Sequence, residues 1–185
     1  MVGRDVVLQV QKDAAKPTEE ILRVRDLHYV NDWGKKMLNG VSLSVRKGEI
    51  LGIAGVEGNG QKELVDMLFG LNKPNEGTIA MKGDNIIGLN QRQLREKHIS
   101  LVPEDRMLFG IAANASIEEN IISDRADSKK MNKGLMFNMK NMHEETDALI
   151  KEYKVLCKSR DQKVGMLSGG NIQKVVVALE FSNQP

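Results

Sequence analysis

The sequence is short of the residues that mark several protein classes. Cys157 is the only cysteine in 185 residues, so no internal disulfide framework can form and a reducing compartment is expected. Aromatics make up 4%, too few for a base-stacking platform. An excess of one charge is missing as well. The balance of 27 basic and 25 acidic side chains leaves +2, which gives no electrostatic footprint for nucleic acid or an anionic membrane. No apolar run reaches the roughly 18 residues of a membrane-spanning helix. Met1-Val2-Gly3-Arg4-Asp5 lacks the apolar centre of a signal peptide, and Asn114-Ala115-Ser116 is a chance sequon in such a chain. No internal repeat is visible. These absences leave a soluble, intracellular α/β domain, long enough to bury one core.

The pattern along the chain changes character several times. Residues 1–20 read as a linker: after Val6-Val7-Leu8, the run to Glu20 has no apolar period and contains Pro17. Ile21 to Leu27 reads as a strand, and Val41 to Arg46 alternates apolar and polar as a half-buried strand does. Glu49 to Gly55 is a short apolar run of the kind that fills a buried central strand. A helical pattern follows, with Leu64, Val65, Leu68 and Leu71 on one face, closing near Gly70 and Pro74. Thr78 to Met81 suggests another strand, Gln91 to Lys97 a short helix, and His98 to Val102 a second buried strand ending at Pro103. From 104 to 167 strand signals mostly stop. Ser116 with Glu119 forms a capping-box pattern, Asp124 to Gly134 is charged and reads as a mobile loop, and Met142 to Tyr153 is helical. Ile172, Val175, Val176 and Leu179 then mark an amphipathic helix.

Two glycine clusters carry the chemistry. Gly55-Val56-Glu57-Gly58-Asn59-Gly60-Gln61-Lys62 lies between an expected strand and an expected helix. Glycines there permit left-handed backbone and close anion approach, and a helix start presents unpaired N–H groups. The outer glycines have P-loop spacing, but Gln61 stands at the lysine position and Lys62 at the hydroxyl position. Glutamine carries no charge, and charge-assisted hydrogen bonds are worth roughly 1.5–3 kcal/mol against about 1 for neutral ones. Lysine cannot coordinate a metal. Three readings stay open for this loop: a degenerate phosphate cradle, a plain strand–helix turn, and a dinucleotide site whose fingerprint fails after Gly60. The second cluster is Met166-Leu167-Ser168-Gly169-Gly170-Asn171, ahead of the last helix. It is an anion-binding helix end by the same dipole argument, or an ordinary Ser/Gly helix cap.

Taken together, residues from about 21 to 185 resemble an ABC transporter ATPase domain. Leu167-Ser168-Gly169-Gly170 matches the family signature and follows a helical subdomain, its usual place. Ile53 to Gln61 with Val102-Pro103-Glu104-Asp105-Arg106 is similar to the second ATPase domain of duplicated importers for simple sugars and nucleosides. Met1-Val2-Gly3-Arg4 resembles the junction closing their first domain.

The resemblance implies an α/β P-loop NTPase-like core, with a mixed sheet and parallel central strands, plus an inserted helical subdomain. It divides the chain into a linker at 1–20, a partial ATP-binding core at 21–103, a signature subdomain at 104–167 and a signature helix at 168–185. Where the family continues into a Walker B strand the chain stops at Pro185, so a fragment lacking catalytic residues is expected. The family's Q-loop glutamine aligns with Glu104, and Asn171 replaces the glutamine common after the signature. The adenine-stacking aromatic corresponds to Trp33, with Tyr29 second, and core packing is the alternative for either.

Family members pair head to tail, each ATP lying between one P-loop and the opposite signature. Nucleotide contacts are therefore expected at Gly55, Gly58, Asn59, Gly60, Gln61, Lys62, Glu104, Trp33, Ser168, Gly169 and Gly170, with Mg2+ at the partner domain's site and no metal held here. Implied partners are a preceding ATPase domain, transmembrane permeases and, indirectly, an extracytoplasmic solute-binding protein, at the inner face of the cell membrane; no nucleic acid is implied. The rival reading is a catalytically inactive ABC-like assembly module. DNA-repair or translation ABC proteins lack the Pro103 to Arg106 run, and a small P-loop kinase has no use for the second cluster.

Overall fold

The computed structural model describes residues 14–133 and 136–185. The Met1-Val2-Gly3-Arg4 junction therefore lies outside the described residues, and only the end of the expected linker, 14–19, is seen, without regular structure. The chain forms two compact units, residues 1–89 and 90–185.

In the first unit, β1 (Glu20–Val30), β2 (Lys36–Arg46), β3 (Glu76–Met81) and β4 (Asp84–Asn85) make an antiparallel sheet in the order β2-β1-β3-β4. β1 and β2 run well past the stretches that alternate in sequence. The reason is a bulge. Asp26 takes φ +48° and Gly40, beside it on β2, takes φ +75°, so the register shifts between Val24 and Leu27. Three positions apart, those residues would otherwise face opposite sides of the strand. The extra residue restores their parity, and both are buried, at 1% and 0% exposure. Gly77 (φ +101°) is required where β3 meets the bulge, because a methyl there would come within 2.4 Å of the Asp26 carbonyl oxygen. Lys82 and Gly83, both at positive φ, close the β3–β4 hairpin.

Helix α1 (Gln61–Leu68) buries Leu64 and Met67. The expected face differs: Val65 is 39% exposed, since the helix turns Leu64 and Met67 inward instead, and Leu71 is 48% exposed because the helix ends at Leu68 and Gly70 turns the chain before Leu71 joins the face. The two apolar runs expected to be buried parallel strands form no ladder. Residues 51–56 and 99–103 lack regular structure, and Ile50, Ile53 and Val56 are exposed by 84%, 53% and 73%. Apolarity marks a preference for burial but supplies no partner, and no described strand pairs with either run.

The second unit is helical: α2 (Gln91–Glu96), a π-helical turn (Arg106–Gly110), α3 (Ile117–Ile122), α4 (Met139–Glu152), a 3-10 turn (Val164–Met166) and α5 (Gly169–Phe181), with a small hairpin of β5 (Asn132–Lys133) and β6 (Met136–Phe137). Capping boxes start α2 (Asn90 with Gln93) and α3 (Ser116 with Glu119). The Ser116 N–H donates to the Glu119 carboxylate at 2.7 Å and holds its pKa below the usual glutamate range. Ile117, Ile121, Ile122, Met131, Val164, Ile172, Val175 and Ala178 form one core. The Cys157 thiol lies against it, its pKa raised by burial.

The charged stretch from Asp124 is pinned rather than loose. Arg125 donates to Asp124, Glu145, the Leu179 carbonyl and Ser182, and Met131 is fully buried. The stretch reads as a mobile loop in sequence, but the Arg125 cation meets acceptors from α4 and α5 that sequence spacing does not reveal. The two compact units divide between Leu89 and Asn90. Buried Glu180 on α5 accepts from Arg95 at 2.6 Å and from the Leu101 N–H at 3.2 Å, and Ser100 Oγ donates to its carbonyl. Those bonds attach α2 and residues 98–103 to the helical unit.

Candidate functional site

The loop at 55–62 is built from its glycines outward. Gly58 and Gly60 take φ +83° and +99°, the left-handed backbone open to glycine at little cost. A methyl on Gly60 would stand 2.4 Å from the Met37 carbonyl oxygen and 2.9 Å from Leu38 Cδ2, so this glycine seats the start of α1 on β2. At the other end of the loop, the Gln61 side chain folds back over Gly55, its Nε2 1.9 Å from where a Cβ would be. Lys62 donates to Asp66 at 2.6 Å along the helix surface. Among the described residues no group of three or more acidic, histidine or cysteine side chains could hold a metal ion. With lysine where a hydroxyl would be needed, this loop does not fit Mg2+.

Gly55, Gly58 and Asn59 are exposed. Trp33 lies in the turn leading into β2 and is 89% exposed, so core packing does not explain it; Tyr29 is half-buried. Glu104 is exposed ahead of Asp105, whose carboxylate accepts from the Met107 and Leu108 N–H groups and starts the π-helical turn.

The second cluster is held from behind and open in front. Val164 is fully buried, and the Val164 and Gly165 N–H groups donate to the Ala115 and Ala113 carbonyls, which fixes the segment entering α5. Leu167 packs on the core. Ser168, Gly169 and Gly170 are exposed. The Ser168 side chain makes no cap bond to the helix, and among the described residues no carbonyl accepts the Gly169 or Gly170 N–H. The first two amides of a 13-residue helix therefore face outward at the positive end of its dipole. A Cβ on Gly170 would meet nothing within 4 Å. The fold does not need glycine there, although glycine is the poorer helix former by up to about 1 kcal/mol.

Two residues absent from the expected set belong to this end. Asn171 donates from Nδ2 to Ser168 Oγ at 2.9 Å and accepts the Leu156 N–H on Oδ1 at 3.0 Å. Arg106 brings Nη2 to 3.2 Å from where a Gly169 Cβ would be, while its buried Nε has no hydrogen-bond partner among the described residues. Arg106 starts the turn that Gly110 packs against Val176 of α5. No spacing in the sequence links 106 to 169, and only the packing of that turn on α5 does.

Comparison with known proteins places the chain in a family. A family model described as ABC transporter matches residues 38–185. The chain is 34% identical to the glucose import ATP-binding protein TsgD13 of Haloferax volcanii over 187 aligned positions, covering 100% of this chain and 34% of that protein. It is 36% identical to the guanosine import ATP-binding protein NupO of Bacillus subtilis, again over 100% of this chain and 36% of the relative. The chain thus spans about a third of the length of these curated relatives. Among solved structures, the dimeric ATP-binding cassette MJ0796 with ADP and Pi superposes with a TM-score of 0.71 at 20% identity, covering 89% of this chain and 71% of that one. The ATP-binding cassette MJ1267 gives 0.71 at 24% identity over 91% and 67%. These likenesses establish the fold. Among the described residues no helix is long and apolar enough to cross a membrane.

Proposed function

Because this chain belongs to the ABC transporter family, we propose that it is part of the ATP-binding subunit of an importer for simple sugars or nucleosides. Relatives named for import of glucose and guanosine favour that solute class. In this reading Ser168, Gly169 and Gly170 reach the terminal phosphate of an ATP held in the P-loop of a paired, preceding ATPase domain. The observation that carries it is the start of α5: two outward amides with no acceptor in the described residues, beside a glycine that the fold does not require. Preorganised N–H donors of this kind stabilise charge on a transferring phosphoryl group without reorganising.

The chain's own loop is a degenerate site. Gln61 lies over Gly55 and Lys62 is bound to Asp66, so neither supplies the charge or the metal ligand of a competent cradle. Mg2+ belongs to the paired domain's site, where a complete P-loop would hold it. Trp33, on the turn into the strand that seats Gly60, is the candidate for stacking on a base at the degenerate site, and Glu104 stands at the position of the Q-loop residue. Permease subunits and, through them, an extracytoplasmic binding protein are the partners, with the subunit on the inner face of the membrane.

The test is ATP hydrolysis by the complete transporter. Ser168→Arg abolishes turnover by filling the approach to the amides, whereas Gln61→Ala changes it by less than about twofold, well under 1 kcal/mol. A greater loss from the Gln61 change than from the Ser168 change contradicts this division of labour.

A further inference from the structure

We propose that Asn171 is a positioning residue for Ser168, turning the hydroxyl proton outward to the terminal phosphate of the nucleotide; this rests on the reading of Ser168 as a phosphate contact. The two ends of the Asn171 amide are fixed by different partners. A backbone N–H can only donate, so the end facing Leu156 at 3.0 Å is the oxygen. The other end is then the NH2 group, and it donates to Ser168 Oγ at 2.9 Å. A hydroxyl oxygen that accepts from Asn171 has to send its own proton elsewhere. Ser168 is exposed, and no acceptor among the described residues takes that proton. In an ordinary N-cap the serine oxygen would accept from an amide of the first helical turn. Here the bond from Asn171 takes the place of that cap, which leaves the glycine amides open and the hydroxyl pointed away from the helix.

The anchor behind Asn171 is firm. Val155 is 6% exposed in the core, and Lys174 Nζ donates to the Lys154 carbonyl at 2.7 Å, so the backbone carrying the Leu156 N–H is tied to α5 twice. The hydroxyl direction is thus set before any ligand arrives, which is how positioned donors save reorganisation at the moment of reaction. Leu156 is 70% exposed, so its N–H can turn to water when Asn171 is replaced, and the substitutions need not disturb the fold.

A double-mutant cycle on ATP hydrolysis by the complete transporter tests the inference. Asn171→Ala releases the hydroxyl rotor and lowers kcat about tenfold. Asn171→Asp lowers it further, since a carboxylate accepts the Ser168 proton and turns it inward. Ser168→Ala also lowers kcat, and adding Asn171→Ala to it causes no further loss, because Asn171 acts only through the missing hydroxyl. Multiplicative losses, or an Asn171→Asp variant as active as Asn171→Ala, overturn the inference. So does an unfolding midpoint that falls in step with kcat across the variants, which makes Asn171 a residue of the fold. A Ser168→Ala variant at the unsubstituted rate refutes the phosphate-contact reading itself and removes the premise of this one.

Discussion

Replacing Gly170 by alanine separates what the fold needs from what a ligand needs. A Cβ at this position meets nothing within 4 Å, and its backbone φ lies outside the left-handed region. Alanine is a better helix former than glycine and leaves fewer unfolded conformations, so the change stabilises by about 0.5–1 kcal/mol. For a chain of this size that raises the unfolding midpoint by roughly 1–4 °C. Gly165→Ala is the contrast: its Cβ would stand 2.9 Å from the Ala113 carbonyl oxygen, and the fold loses about 1–3 kcal/mol. If the outward amides receive a phosphate, the Gly170 methyl intrudes on that approach. The complete transporter carrying Gly170→Ala then loses ATP hydrolysis by about tenfold or more, while the purified chain melts higher. Differential scanning calorimetry and a phosphate-release assay measure the two quantities. A variant that is stabilised and fully active refutes the reasoning, and so does one that melts lower, because something in the fold would then be holding that glycine.

Three further outcomes follow from the helical unit. Thr146 is fully buried on α4 and its hydroxyl has no partner among the described residues, so Thr146→Val raises stability by about 1 kcal/mol in urea titrations; a loss shows that the hydroxyl is satisfied in solution. Glu180→Ala strips Arg95 and the Leu101 N–H of a buried acceptor and costs about 3 kcal/mol by the same measurement, with an unchanged urea midpoint as the contrary result. The pKa of Glu119 is depressed in the folded state by the Ser116 N–H and hydroxyl. Its contribution is therefore complete above the ordinary glutamate range of about 4.3 and disappears as pH falls through the lowered folded value. Urea midpoints of the unsubstituted chain and Glu119→Gln consequently converge on acidification, and a pH-independent gap between them contradicts the cap.

Much of the helical unit was legible in the sequence because its signals are local. A capping box such as Ser116 with Glu119 joins residues three apart, and the buried stripe of Ile172, Val175, Val176 and Leu179 follows from helical geometry alone. The glycine pair that starts α5 could be read as a helix end suited to an anion for the same reason. Whether that end was capped by its own chain could not be read, because the answer depends on where Ser168 Oγ points, and that depends on an Asn171 amide held by Leu156.

Local pattern was misleading where partners are distant. Glu49 to Gly55 has the apolarity of a central strand, but a strand exists only by pairing, and no described strand lies beside it. The charges from Asp124 onward have the pattern of a loose segment, yet Arg125 is bonded to Glu145 and Ser182, which lie 20 and 57 residues away in sequence. β1 could not be followed through Asp26, since the bulge that restores its buried face breaks the alternation by which strands are recognised. Sequence alone thus determined which segments curl into helices and where glycines open a helix, because both are settled within a few residues of chain. The tertiary structure decided what holds Ser168 Oγ, that the Gln61 side chain folds over Gly55 and that Arg106 lies against Gly169, because each depends on contacts that no local periodicity of the chain specifies.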